Sequence, residues 1–329
     1  MARLIARAQI GVHTRTALAA ALVLAGCADG DGGSSSSGSE ARSHGSSNST
    51  GAGSPALDRL PVPVQEIEID GTEYAFQIRP DPSAGLRPGW TLLHFHNIGG
   101  EAHQAMFARI KDGVDMSELA AAGAGDSSGA SAIEFVDMIG GVSYIGSGQD
   151  TTAMVKLDTG LVMAMCYVPT TEGVAHGLLG MTSALNIIAT PTGSTGATAR
   201  APTEPNATAS HVVGTIEFGP DGYRIPDTMH GGWHRVVNSD TALHEMAILR
   251  LERAVDDDEA ANLVADLAAN RQPKIAVEAV GGMGAVSSGF EGYLDMNLDP
   301  GEYMVVDFMP DPGNPRPHML DGYFATFSV

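Results

Sequence analysis

Residues 165–181, MCYVPTTEGVAHGLLGM, set a thiol, an imidazole and a thioether along one short stretch: Cys166, His176 and Met181. The chain has only one other cysteine, Cys27, near its N-terminus. If Cys27 is consumed elsewhere, Cys166 has no partner for a disulfide within its own chain. A free cysteine packs well as a small buried hydrophobe. In an oxidising compartment an unpaired thiol is also a liability, so its retention there asks for a chemical reason.

The N-terminus is what places the chain in such a compartment. Residues 1–27 begin with Arg3, Arg7 and Arg15, continue through the apolar run TALAAALVLAG from Thr16, and close on small residues before Cys27. That is the layout of a secretory signal, and the run is too short to span a bilayer. LAGC, Leu24–Cys27, resembles the lipobox of bacterial lipoproteins. The resemblance implies that Cys27 is lipidated and becomes the first residue of an exported chain held on the outer side of a bacterial membrane. Residues 28–61, rich in Ser and Gly, read as a flexible tether, and 190–210 as a linker of similar character. Two segments of domain size remain, 62–189 and 211–329.

These segments read as copies of one another. An offset of 141 carries Asn97 to Asn238, His103 to His244, Gly140 and Gly141 to Gly281 and Gly282, and LDTG (Leu157–Gly160) to LDPG (Leu298–Gly301). One register held over that span indicates a tandem duplication. Cys166 falls on Asp307; after one inserted residue His176 matches His318 and Met181 matches Tyr323.

Short alternating or apolar runs bounded by Gly, Pro, Asn and Asp dominate both copies, and they predict strands. In the first copy they are VQEIEID, WTLLHFHN, TTAMVKL, LVMAMCYV and SALNIIA; in the second, GTIEFG, HRVVN, AILRL, YLDMNL, EYMVVDFM and YFATFSV. The pattern suggests a β-sandwich. One helix interrupts each copy, where Asp115 with Glu118 and Asp256 with Glu259 have capping-box spacing. In the second, Ala260, Leu263, Val264 and Leu267 form an apolar stripe.

LDTGLVMAMC, followed by His176 and Met181, resembles the closing strand and copper loop of the cupredoxins, the plastocyanin and azurin family. FHNIGGEAHQAMF, Phe95–Phe107, resembles the loop that supplies that family's first histidine. The resemblance implies an all-β fold of two tandem cupredoxin-like Greek-key sandwiches, each with a short inserted helix. It also implies one copper per chain, in the first domain, held by His103, Cys166, His176 and Met181. A thiolate and two imidazoles with a weak thioether suit both Cu(I) and Cu(II), so little moves when an electron is gained or lost. Nine residues separate Cys166 from His176, more than in plastocyanin or azurin and nearer to the copper nitrite reductases. In the second copy Asp307 and Tyr323 stand where the sulfur ligands would be, so His244, Asp307, His318 and Tyr323 make a degenerate site. Two histidines and a carboxylate suit a harder divalent metal, but retained histidines that bond locally, in a packing or docking domain, are the expected reading.

His94 and His96 share one face of a strand, and Arg235 and Val237 replace them in the second copy, so they read as exposed histidines. One His-x-His pair and no His-Cys-His element fall short of a multicopper oxidase, and no hydrolase, zinc-protease or nucleotide-binding motif is present. No enzymatic activity is expected. A net charge of −21 argues against nucleic acid and against anionic lipid, leaving the lipid anchor as the membrane contact. Three functions fit: electron transfer with a redox partner protein; copper delivery, buffering or sensing with a copper donor or acceptor protein; and a metal-free surface binding module.

Overall fold

Alternation in the sequence becomes alternation across a pleat. Over Gln65–Thr72 the side chains of Ile67 and Ile69 are fully buried and Glu68 is exposed; over Gly89–Asn97 the buried set is Thr91, Leu93, Phe95 and Asn97. The computed structural model describes residues 59–125, 130–189, 211–226, 229–269, 271–312 and 314–329. The signal segment with Cys27, the tether up to residue 58 and the linker 190–210 lie outside the described residues.

The first half supplies β1 (Gln65–Thr72), β2 (Ala75–Arg79), β3 (Gly89–Asn97), β4 (His103–Ile110), β5 (Val136–Ile145), β6 (Asp150–Leu157), β7 (Gly160–Met165) and β8 (Thr182–Ile187). The second supplies β9 (Val212–Gly219), β10 (Gly222–Arg224), β11 (Gly232–Asn238), β12 (His244–Leu251), β13 (Val277–Val286), β14 (Glu291–Met296) and β15 (Glu302–Val306). A small hairpin, β16 (Pro310–Asp311) and β17 (Asn314–Pro317), and then β18 (Phe324–Ser328) complete it.

Two eight-stranded sheets result, and each takes four strands from each half. One runs β10-β9-β11-β14-β6-β3-β1-β2, the other β18-β15-β12-β13-β5-β4-β7-β8. The halves are therefore fused edge to edge in both layers, through β14 on β6 and β13 on β5, both antiparallel. Each junction is symmetric under the offset of 141. Val142 pairs with its own counterpart Met283, and Ala153 with its counterpart Leu294. A pseudo-twofold axis thus passes through both junctions, as in an isologous dimer.

The apolar core lies between the sheets and runs continuously through both halves, from Ile67, Phe95 and Phe107 to Phe218, Met246 and Ile248. Helix α1 (Met116–Gly125) follows β4, and α2 (Asp257–Ala268) follows β12. At α2 the capping box of Asp256 and Glu259 is complete, and Ala260, Leu263, Val264 and Leu267 are all buried. At α1, the Asp115 carboxylate accepts from the backbone N–H and the hydroxyl of Ser117 at 2.7 Å, while the Glu118 N–H donates to the Asp115 carbonyl at 3.0 Å. Serine two residues on satisfies the acceptor first. Leu60, read from sequence as tether, is buried against Val212, Trp233 and Tyr293 of the second half, and Arg59 bridges His211.

Candidate metal centre

His103 opens β4 and Cys166 follows the last residue of β7. These strands are antiparallel neighbours, with Met106 opposite Met165, so both residues reach the same end of the sandwich. Asn97, buried at the end of β3, fixes the approach to His103. Its amide donates to the carbonyls of Glu101 (2.8 Å) and Ile145 (3.1 Å) and accepts from the Gly99 N–H (3.0 Å).

The long loop after Cys166 is folded on itself. Pro169 bridges Ala175, and Thr170 caps the tip, where its carbonyl accepts from Gly173 and its N–H donates to Val174. The extra length is thus taken up in a small hairpin, and His176 is returned to Cys166. The Gly177 N–H donates to the Cys166 carbonyl at 2.7 Å and the His176 N–H to the Val168 carbonyl at 2.8 Å. His176 begins a 3₁₀ turn, His176–Leu179, closed by Gly180 at φ 113°, a left-handed conformation that glycine adopts without strain. Met181 then locks the loop: its N–H donates to His176 O (3.0 Å) and its carbonyl accepts from Cys166 N–H (3.2 Å).

The outcome is convergence of three donors. His103 Nδ1 lies 3.1 Å from His176 Nδ1, and Cys166 Sγ lies 3.7 Å from His176 Nδ1. One ligand atom from each of the three lies within 4.8 Å of the others, and all three residues are buried. Met181 is fully buried in the same apolar cluster as Cys166, Val168 and Tyr144. On the far sides of the rings, His103 Nε2 has no hydrogen-bond partner. Glu101 Oε2 stands 3.0 Å from His176 Nε2 without hydrogen-bond alignment. Tyr74 packs edge-on against the His176 ring.

Burial sets the electrostatics. It lowers the His103 pKa to about 4, with help from His176, and lowers that of His176 against the opposing pull of Glu101. It raises the Cys166 thiol to about 12. The facing Nδ1 atoms of two neutral imidazoles can share one proton, but this leaves the Cys166 thiol only a long contact, 3.7 Å, to a nitrogen already engaged. A soft cation that takes all three donors resolves this.

The second half repeats the backbone of this end bond for bond. Asn238 donates to Ala242 and Val286 carbonyls, and the Asp307, His318, Met319 and Tyr323 N–H groups repeat the loop bonds made by Cys166, His176, Gly177 and Met181. The side chains differ. His244, Asp307 and His318 converge as a buried group, while Tyr323 stacks on His244 with ring centroids 4.0 Å apart. Burial opposes protonation of His318, yet Asp307 and Asp311 hold its pKa above the usual value. Sequence reasoning named these four but missed Asp240, in the bend after β11, and Asp311, at the end of β16, which no motif marks. His94 and His96, by contrast, stay outside either cluster, facing Thr152 and Asp150.

No protein-family model and no curated protein matches the chain. Among similar solved structures, a reduced auracyanin from the photosynthetic bacterium Roseiflexus castenholzii is 17% identical, with a TM-score of 0.28, over 39% of this chain and 99% of its own. A multicopper oxidase is 13% identical, with a TM-score of 0.23, over 83% of this chain and 93% of its own. A copper-containing nitrite reductase from Thermus scotoductus is 11% identical, with a TM-score of 0.24, over 82% of this chain and 68% of its own. The last two are enzymes by name, so the expectation that the chain has no enzymatic activity does not stand. Strand order and the closing loop make each half cupredoxin-like in fold, and the first half adds a His-Cys-His group positioned to hold a metal.

Proposed function

We propose that the chain is an exported, lipid-anchored protein that transfers electrons through one type 1 copper, held in its first half by His103, Cys166, His176 and Met181. The observation that carries this reading is the burial and mutual approach of His103 Nδ1, His176 Nδ1 and Cys166 Sγ. Copper bound there would supply a one-electron couple. The protein's part is to hold the donors still. His103 is fixed by a sheet strand, and Cys166, His176 and Met181 by the backbone bonds that close their loop. Burial of all four residues keeps water out, so few solvent dipoles need reorient when the charge changes.

Partner contact is favoured at the same end. Leu178 and Leu179 share the His176 turn, Ile98 sits in the loop before His103, and all three are exposed. The net charge of −21 suits a partner with a basic surface. Lipidation of Cys27, with residues 28–58 as tether, would hold the folded part off a membrane, and no helix among the described residues is long and apolar enough to cross one. The offset register of 141 supports a tandem duplication as the origin of the two halves, joined by 190–210.

Adding Cu(II) to the purified chain should produce an intense thiolate-to-copper visible band. The band should vanish in Cys166→Ser, since a hydroxyl is neither soft nor ionised at neutral pH, and persist in His244→Ala. A colourless wild type, or a blue serine variant, would overturn the assignment.

A further inference from the structure

In the second half the cluster has the same frame but a different donor set. His244 Nδ1 lies 2.7 Å and His318 Nδ1 3.0 Å from a single oxygen, Asp307 Oδ2. The other oxygen, Oδ1, is taken by the backbone N–H groups of Glu245 and Met309. Oδ2 therefore faces the rings by construction. Each ring also has a carboxylate on its far side: Asp240 Oδ2 is hydrogen-bonded to His244 Nε2 at 3.1 Å, and Asp311 Oδ1 is 3.3 Å from His318 Nε2 without hydrogen-bond alignment. Asp240 is itself held by the Tyr323 hydroxyl at 2.7 Å.

Proton counting makes this arrangement unusual. A neutral imidazole that donates its Nε2–H to Asp240 presents a bare Nδ1 lone pair to Asp307, an acceptor facing an acceptor. The contact needs a positive charge: an added proton on the ring, or a metal ion around which Nδ1 and Oδ2 spread apart as its ligands. Carboxylates on the far nitrogens are also what metal-bound histidines ordinarily have, since they fix the tautomer and aim the lone pair inward. Three carboxylates around two rings, with Asp307 fully buried, leave a negative charge that a divalent ion offsets.

We propose that His244, Asp307 and His318 form a second cation site, which takes a borderline divalent ion of the Zn²⁺ class through two imidazole nitrogens and one carboxylate oxygen, with Asp240 and Asp311 as the groups that orient the rings. The donor set lacks sulfur, so it discriminates against Cu(I). It matches in kind the nitrogen and oxygen ligands zinc accepts. The chain then carries two chemically different sites on one repeated frame.

The test is zinc uptake by the full-length chain after chelator treatment, measured by equilibrium dialysis and metal analysis. Wild type should bind one zinc more than Asp307→Asn, and Cys166→Ser should keep that zinc, which separates this site from the first. Asp311 is half exposed, so Asp311→Asn should fold normally and bind the same zinc about 10–100-fold more weakly. Equal zinc content in wild type and Asp307→Asn, or an Asp311→Asn affinity equal to wild type, would show that protons alone hold the cluster and would overturn the proposal.

Discussion

At Cys166, burial and ligation pull in opposite directions. Burial raises the thiol to about 12, so at neutral pH the metal-free residue is protonated. A metal takes the thiolate, and binding must release that proton. His103, lowered to about 4 by burial, has no proton to lose above pH 6. The sign follows: copper affinity should rise with pH, by about tenfold per unit between pH 6 and 9, one thiol proton being released per ion bound. Chelator competition across that range measures it, and a flat profile would mean that Cys166 is not a ligand. Met181 is a weaker donor, so Met181→Gln should retain copper and lower the reduction potential, because an oxygen favours Cu(II) over Cu(I); an unchanged potential in voltammetry of the variant would mean that Met181 is only packing. The residues that converge here, His103, Cys166 and His176, were legible because their types and order along the chain form a local pattern. Glu101, Asp240 and Asp311, which come within 3.0–3.3 Å of ring nitrogens from separate segments, were not, since nothing local in a sequence marks a carboxylate that stands behind a histidine.

Among the elements, the most consequential strands were the least visible. β5 and β13, VDMIGGVSYI and VEAVGGMGAV, are absent from the strands that the sequence pattern predicts, and they carry the double glycines Gly140–Gly141 and Gly281–Gly282. They are instead central strands, with irregular register against β4 and β12. All four glycines have φ between 97° and 122°. A Cβ on Gly141 would press on the Ala105 carbonyl oxygen, and one on Gly282 on that of Met246. The glycines let a neighbouring backbone approach, a tertiary demand that no local window contains. Gly141→Ala should therefore cost on the order of 3 kcal/mol, from steric overlap added to strain. Gly148, also left-handed at φ 76° but with nothing near its Cβ, should cost only about 1 kcal/mol as alanine. Denaturant unfolding of the pair separates the two terms; equal losses would mean that the close approach contributes nothing. Ser143 on β5 donates to Glu245 on β12 at 2.7 Å, a buried bond between the halves, and Gly284, the counterpart of Ser143, can supply no hydroxyl to Gln104. Here the two halves differ where they meet.

For the molecule as a whole, the decisive fact is that neither sandwich closes by itself. The expectation of two tandem sandwiches does not foresee how the halves join: they meet edge to edge through β6 and β14, which the sequence pattern marks as strands, and through β5 and β13, which it does not. With β5 on β13 and β6 on β14, the first half alone would expose two long strand edges, one per layer. It would also uncover Val142 and Ala153, which are fully buried in the whole chain. Unpaired edges of this length recruit other strands. The register suggests which ones. Because Val142 pairs with its own counterpart, and Ala153 with its counterpart, a second copy of the first half could dock in the same antiparallel register with the axis unchanged. The side chains at the axis would then be Val142 against Val142 in place of Val142 against Met283, a smaller pair and a looser fit. Residues 59–189 expressed alone should therefore sediment as a dimer or aggregate, with a midpoint of unfolding that rises with concentration. Two charges at the junction, as in Val142→Lys with Ala153→Lys, should block self-pairing in that fragment. A fragment that sedimented as a stable monomer would show that the halves are independent domains which merely touch.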